Sequence, residues 1–217
     1  MPSVTRKSQA SRAERRDQIR SRLLAAVEQL LADGENFTEL SVERLVSLAG
    51  VSRSTFYVYF ADKGELIRAW LGDIISELEI AAETWWSLGR AGSAVTRAEV
   101  RAALTRVVEV YRPHTTLMAA AFDAAAYDSG VRDQVDEMME RNIAGLRKHI
   151  RNGQQAGFVD ERLPAAQTAA WLTWMAERGL HRLVRDADDA ELSTLLDAYT
   201  GIIWNTLYQG AASSKPS

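Results

Sequence analysis

Residues 52–60 read Ser-Arg-Ser-Thr-Phe-Tyr-Val-Tyr-Phe, a run whose polar groups suit one kind of chemistry. The hydroxyls of Ser52, Ser54, Thr55, Tyr57 and Tyr59 and the Arg53 guanidinium can pair with base edges and phosphate oxygens of a duplex. Ser52 is a helix cap by type, which leaves the first N–H groups of its helix facing outward toward a phosphate. Phe56 and Phe60 lie four apart and can anchor the same helix to a core. An ordinary buried helix seldom places so many hydroxyls and an arginine on its first two turns. The plainer alternative is a helical hairpin whose Arg53 and tyrosines form only a solvated face.

The flanking residues predict the frame that would position this run. Ser41 suits an N-cap, and Val42, Leu45 and Val46 give a short helix one apolar stripe. Gly50, within Ala49-Gly50-Val51, is free to take the left-handed conformation that ends it. Upstream, Ser11 and Glu14 have capping-box spacing, and Ile19, Leu23, Val27, Leu30 and Leu31 recur at helical intervals as far as the breaker at 33–36. Phe37 and Leu40 lead from that helix into the short pair. One long helix followed by two short ones is a helix-turn-helix unit, whose second short helix enters the DNA major groove.

The run LSVERLVSLAGVSRSTFYVYFADKGEL resembles the DNA-binding domain of the TetR/AcrR family of bacterial transcriptional regulators. The matching features are an apolar-rich helix, Ala-Gly-Val-Ser, Thr-Phe-Tyr-x-Tyr-Phe, and then an acidic cap before Lys63; they cover about 15–70. The resemblance implies that Ser52, Arg53, Ser54, Thr55, Tyr57 and Tyr59 face DNA and that Lys63 contacts a phosphate. Ser41 and Arg44 complete the expected DNA-binding set. The end of the chain, from WMAERGLHRLV to IIWNTLYQG, is similar to the EthR-like regulators within the family.

Composition is consistent with a soluble, cytoplasmic globule. The 217 residues are 47% apolar and 25% charged, with no cysteine to form a disulfide or a thiol sensor. The longest apolar candidate for a membrane span, 117–126, is broken by Asp123, and the N-terminus lacks the apolar segment of a secretory signal. The net charge of −3 hides an asymmetry. Residues 1–24 hold seven basic and two acidic side chains, leaving 19 of the 26 basic and 27 of the 29 acidic residues for the rest. A basic arm ahead of the reading unit would concentrate phosphate attraction at one end. The expected order is a flexible basic arm (1–12), a helix-turn-helix domain (13–60), a helical effector-binding and dimerisation domain (61–210), and a disordered tail (211–217).

Beyond the reading unit the pattern stays helical, with nothing alternating at period two. Asp62 with Glu65 opens a helix expected over 62–88, and residues 89–93 form a glycine-containing loop. Thr96 with Glu99 is a second capping box, Pro113 restarts the chain, and 128–130 turns it into a helix from Val131 to 152–153. Pro164 opens the eighth helix, and Asp188 with Glu191 opens the ninth. The expected fold is all-α: a three-helix reading domain followed by a helical bundle, about nine helices in total.

The eighth and ninth helices carry an assembly signal. Leu172, Met175, Ala176, Gly179, Leu180 and Leu183 make one apolar face, Trp171 and Trp174 a second, and the ninth helix is apolar on two sides as well. Helices of this kind need more cover than one core provides, which a two-fold dimer built from both helices would supply. Such a dimer also gives the paired reading heads that a palindromic operator requires, roughly 34–36 Å apart or a multiple of that.

Six tryptophans favour an aromatic-lined effector cavity in the bundle. The resemblance to EthR-like regulators implies Val107, Met139, Asn142, Thr173 and Trp204 near its lining; Phe122 and Trp174 join them by aromatic character and position. The expected effector is small and apolar or amphipathic. No catalytic or metal-ligating constellation is present: the three histidines form no metal motif, no phosphate-binding glycine loop occurs, and Asp133, Asp136, Glu137 and Glu140 read as a solvated face. No cofactor is expected. The sequence therefore predicts a homodimeric, DNA-binding repressor released by an effector that tilts helix 62–88. A helical protein–protein adaptor is the rival, and it would tolerate loss of Arg53, Thr55, Tyr57 and Lys63.

Overall fold

The computed structural model of the chain describes residues 4–90 and 94–212. Among these the regular elements are all helical, as expected of an all-α fold. No helix among them is long and apolar enough to cross a membrane. The chain forms two compact units, Met1–Leu71 with Ala119–Asp133, and Gly72–Met118 with Gln134–Ser217. These bounds differ from the expected division at residue 60, because the start of the next helix belongs to the reading head by burial.

In the first unit, helix α1 (Val4–Ala32) precedes α2 (Val42–Ala49), α3 (Arg53–Tyr59) and the first turns of α4 (Lys63–Trp86). Helix α1 starts at Val4, so Ser11 lies inside it and is not its cap, and residues 4–12 are helical where a flexible arm was expected. No proline or glycine interrupts 4–32, so nothing in the sequence stops the helix at Ser11. Residues 1–3 lie outside the described residues. The head is filled by Leu23, Leu30, Leu45, Phe56 and Phe60 together with Leu66 and Ile67 of α4. Arg68 of α4 holds the Asp128 carboxylate through Nη1, at 2.9 and 3.0 Å, which ties the segment before Ser129 to the same unit.

The second unit contains α5 (Arg97–Tyr111), a 3-10 turn (Arg112–His114), the start of α6 (Thr115–Ala124) and most of α7 (Ser129–Ala156). It continues through α8 (Ala165–Gly179), a π turn (Leu180–Val184), α9 (Asp189–Leu207) and a last turn (Gln209–Ala212). The expected caps form. Thr96 and Glu99 make a reciprocal capping box, and Asp188 Oδ1 accepts from the Ala190 and Glu191 N–H groups. Helix α7 runs through Gly153, the expected stop, to Ala156. The physical reason is packing: a Cβ at Gly153 would meet the Phe158 ring at 2.7 Å, so this glycine admits a neighbour, and Gly157 at φ 78° ends the helix. The expected acidic face on α7 is exposed. Residues 91–93 of the expected loop and 213–217 of the expected tail lie outside the described residues.

A buried polar chain closes this second core, which is built around Trp85, Leu104, Ile150, Leu172, Ile203 and Leu207. Trp85 Nε1–H donates to the Tyr208 hydroxyl at 2.9 Å. His149 Nδ1 lies 3.2 Å from the Trp86 carbonyl and Nε2 lies 2.8 Å from the same hydroxyl. A carbonyl can only accept, so Nδ1 carries the proton and Nε2 receives the Tyr208 O–H. Burial, first among the causes, holds this imidazole below its ordinary value of 6.5, against the Trp86 carbonyl, which favours the charged form. Folded, His149 is neutral; unfolded, it takes up a proton below about pH 6.5. Stability from this group is therefore complete above that pH and falls as the pH drops, by at most about 1.4 kcal/mol per unit. Thermal melting of the second unit between pH 7 and 5 should show this decline, and the variant His149→Gln should lessen it.

Candidate nucleic-acid interface

The pair α2 and α3 is fixed by short-range chemistry. Ser41 Oγ accepts the Arg44 N–H at 3.1 Å and so caps α2. Gly50 ends α2 at φ 60°, ψ 37°, and Arg22 of α1 donates to its carbonyl at 2.6 Å. Ser52 Oγ accepts the Thr55 N–H at 3.0 Å and lies 2.9 Å from Ser54 Oγ and 2.7 Å from Thr55 Oγ1. Phe56 is fully buried, with its ring 5.7 Å from that of Phe60, so one side of α3 is committed to the core.

The opposite side faces solvent. Arg53, Ser54, Tyr57 and Val58 are exposed, Tyr57 by 46% and Val58 by 74%, while Thr55 and Tyr59 are half-buried at the flanks. Arg53 pairs with Glu43 of α2, and its guanidinium lies 5.6 Å from the centre of the Tyr57 ring. Arg44 pairs with Glu35 at 3.0 Å. Both pairs are exposed, and such pairs contribute about 0–1 kcal/mol. Exchange of either carboxylate for a phosphate or a guanine edge therefore costs little. Of the expected set, Ser41, Arg44, Ser52, Arg53, Ser54 and Tyr57 are exposed together on the head, with Thr55 and Tyr59 at its margin.

Lys63 has a different task from the one expected. Its Nζ donates to the carbonyls of Phe37, Thr38 and Leu40 at 2.9, 2.6 and 3.0 Å and lies 5.3 Å from the centre of the Phe37 ring. An ammonium has three N–H donors, and here every one has a carbonyl acceptor. Partial burial lowers its pKa. The side chain thus clamps the segment between α1 and α2 and is not free for a phosphate. Sequence reasoning missed this clamp and the Arg22 contact, because both join residues more than twenty positions apart with no periodic signal between them.

The expected effector residues are contributed by five helices, α5 to α9. Phe122 belongs to the first unit and is half-buried. In the second unit Met139 is buried, Val107, Thr173 and Trp204 are half-buried, and Asn142 donates to the Met138 carbonyl at 3.0 Å. Trp174 is 48% exposed and its neighbour Trp171 is 78% exposed. A groove of about 460 Å³ does exist, between α8, the π turn and α9, walled by Met175, Leu180, Leu183, Leu192, Tyr199 and Ile202 with Arg178 and Arg182 beside them. None of the seven expected effector residues lines it.

Comparison with known proteins agrees with this geometry. Residues 23–70 match the tetR family of bacterial regulatory proteins, and residues 100–209 match the C-terminal domain of the transcriptional regulator EthR. The HTH-type transcriptional regulator EthR of Mycolicibacterium smegmatis is 25% identical over 204 residues, 89% of this chain and 90% of that protein. Its namesake in Mycobacterium tuberculosis is 28% identical over 159 residues, 73% of this chain and 72% of that one. A TetR transcription regulator from Haloarcula marismortui superposes with a TM-score of 0.67 at 15% identity, covering 90% of this chain and 99% of its own, a likeness of fold alone.

Proposed function

We infer the detailed function from an established membership: the chain belongs to the TetR family of bacterial regulatory proteins and carries an EthR-type C-terminal domain. It is a helix-turn-helix transcriptional regulator. We propose that it acts in the cytoplasm as a homodimeric repressor whose α3 helices read two half-sites of a palindromic operator. The observation that carries this reading is the division of α3, with Phe56 buried on one side and Arg53, Ser54 and Tyr57 presented on the other. The proposed domains are a helix-turn-helix reading head ahead of a helical effector and dimerisation bundle.

The dimer would form through α8 and α9, which leave Trp171, Trp174, Met175 and Ile202 exposed, with Leu183 of the π turn between them. Single exposed apolar residues are common, but several along one groove, here Met175, Leu183 and Ile202, mark an interaction site. We assign that groove to the partner protomer. The effector, a small apolar or amphipathic molecule, would instead enter the bundle near Val107, Met139, Asn142, Thr173 and Trp204. By wedging there it would tilt α4, which carries the chain from one unit into the other, and so alter the spacing of the heads. The coupling such a switch needs is about 1–3 kcal/mol.

The test is selection of duplexes from a random library by the full chain, followed by titration of variants. The reading expects an inverted repeat. Arg53→Ala should weaken its binding by about 1–3 kcal/mol and relax preference at one position of each half-site. Lys63→Met should instead lower the melting temperature of the head, at a cost of about 1.5–3 kcal/mol for bonds to a charged group, and leave the salt slope of binding unchanged. An Arg53→Ala variant that binds like the parent would remove α3 from the groove.

A further inference from the structure

On the outward face of α3, Val58 has no task in the scheme above. At 74% exposure it is the most exposed of the large apolar side chains of α2 and α3, and it stands among Arg53, Ser54 and Tyr57. Two columns run along this face at a spacing of four residues. In the first, the Arg53 guanidinium lies over the Tyr57 ring. In the second, Ser54 precedes Val58. The Ser54 hydroxyl is turned toward Ser52 Oγ at 2.9 Å, so the methyl groups of Val58 are the outermost feature of that column. A β-branched side chain in a helix keeps one strongly preferred rotamer, so those methyls project in a fixed direction.

A helix face of this kind in the major groove meets hydrogen-bonding edges and one apolar group, the C5-methyl of thymine. We propose that Val58 is a specificity-determining residue that packs on a thymine C5-methyl in each half-site, beside the polar readout of the Arg53–Tyr57 column. The inference rests on the DNA-reading function above and adds the base class read by the second column. Removing the methyl, by placing dU for dT, leaves every hydrogen-bonding edge intact and takes away only the apolar contact. Loss of one buried methyl corresponds to about a fourfold loss of affinity per half-site and about fifteenfold for both together.

The experiment takes the duplex enriched by the wild-type chain and replaces each dT by dU in turn, titrating wild type, Val58→Ala and Val58→Ile by fluorescence anisotropy. The expected result is one thymine per half-site at which wild type and Val58→Ile lose about fourfold. Val58→Ala should bind the dT duplex more weakly from the start and change less than twofold on replacement. Because Val58 is exposed, its alanine variant should melt like the parent. Equal binding of dT and dU duplexes by wild type at every position overturns the proposal alone, as does undiminished discrimination by Val58→Ala. If wild type enriches no duplex from the library, the DNA-reading function fails and this assignment fails with it.

Discussion

Replacing Phe56 by alanine should open the reading head and abolish retention of DNA. Phe56 is fully buried, its ring 5.3 Å from that of Tyr57 and 5.7 Å from that of Phe60, so it joins the outward face of α3 to the core beneath. Truncating a buried phenylalanine costs about 3–5 kcal/mol, through lost apolar burial and the cavity left behind. A domain of this size has only about 5–15 kcal/mol in total. Helix α3 has seven residues, too short to persist without its packing. Hydrogen exchange of the α2 and α3 amides should therefore accelerate by at least about a hundredfold. The Trp85–Tyr208–His149 chain belongs to the other unit and should keep its protection. Unchanged exchange in α3 would mean that Phe56 is not its anchor.

The second large effect concerns assembly. Ile202 is exposed on α9 beside the groove, so a charge there should leave the folded single chain intact. In the proposed dimer the same position is covered, and an unpaired carboxylate taken out of water is strongly disfavoured. Ile202→Glu should raise the dimer dissociation constant by about two to three decades, the equivalent of about 3–4 kcal/mol. Sedimentation at micromolar concentration should then show a folded single chain, with a melting temperature lowered only by the lost mass-action contribution of the partner. Operator affinity should fall in parallel, since one head alone reads one half-site. A variant that remains dimeric would move the interface away from α8 and α9.

What the sequence made legible was local. The caps at Ser41, Ser52, Thr96 and Asp188 each depend on residues two to three positions away, and each forms as the spacing implies. Burial of Phe56 and Phe60, and exposure of Arg53, Ser54 and Tyr57, follow from helical periodicity in the same way. Contacts across the chain were not legible. Lys63 reaches carbonyls 23–26 positions back, and Trp85 meets Tyr208 123 positions ahead; no pattern of residue types announces either partner. Gly153 misled for a related reason. A glycine within a helical run can stop the helix or admit a close neighbour, and only the position of Phe158 decides between them. The start of α1 misled because a capping box is a permitted start, and a helix that continues upstream overrides it.

The most direct test of the central claim is oxidative labelling of tyrosines in the full chain, with and without the selected duplex. Tyr57 is 46% exposed on the proposed reading face, and Tyr127 is 83% exposed in the same unit, outside α3, where it serves as the internal control. The duplex should suppress labelling of Tyr57 severalfold and leave Tyr127 unchanged. Equal labelling of Tyr57 in the free and the DNA-bound chain would contradict the placement of α3 against the duplex.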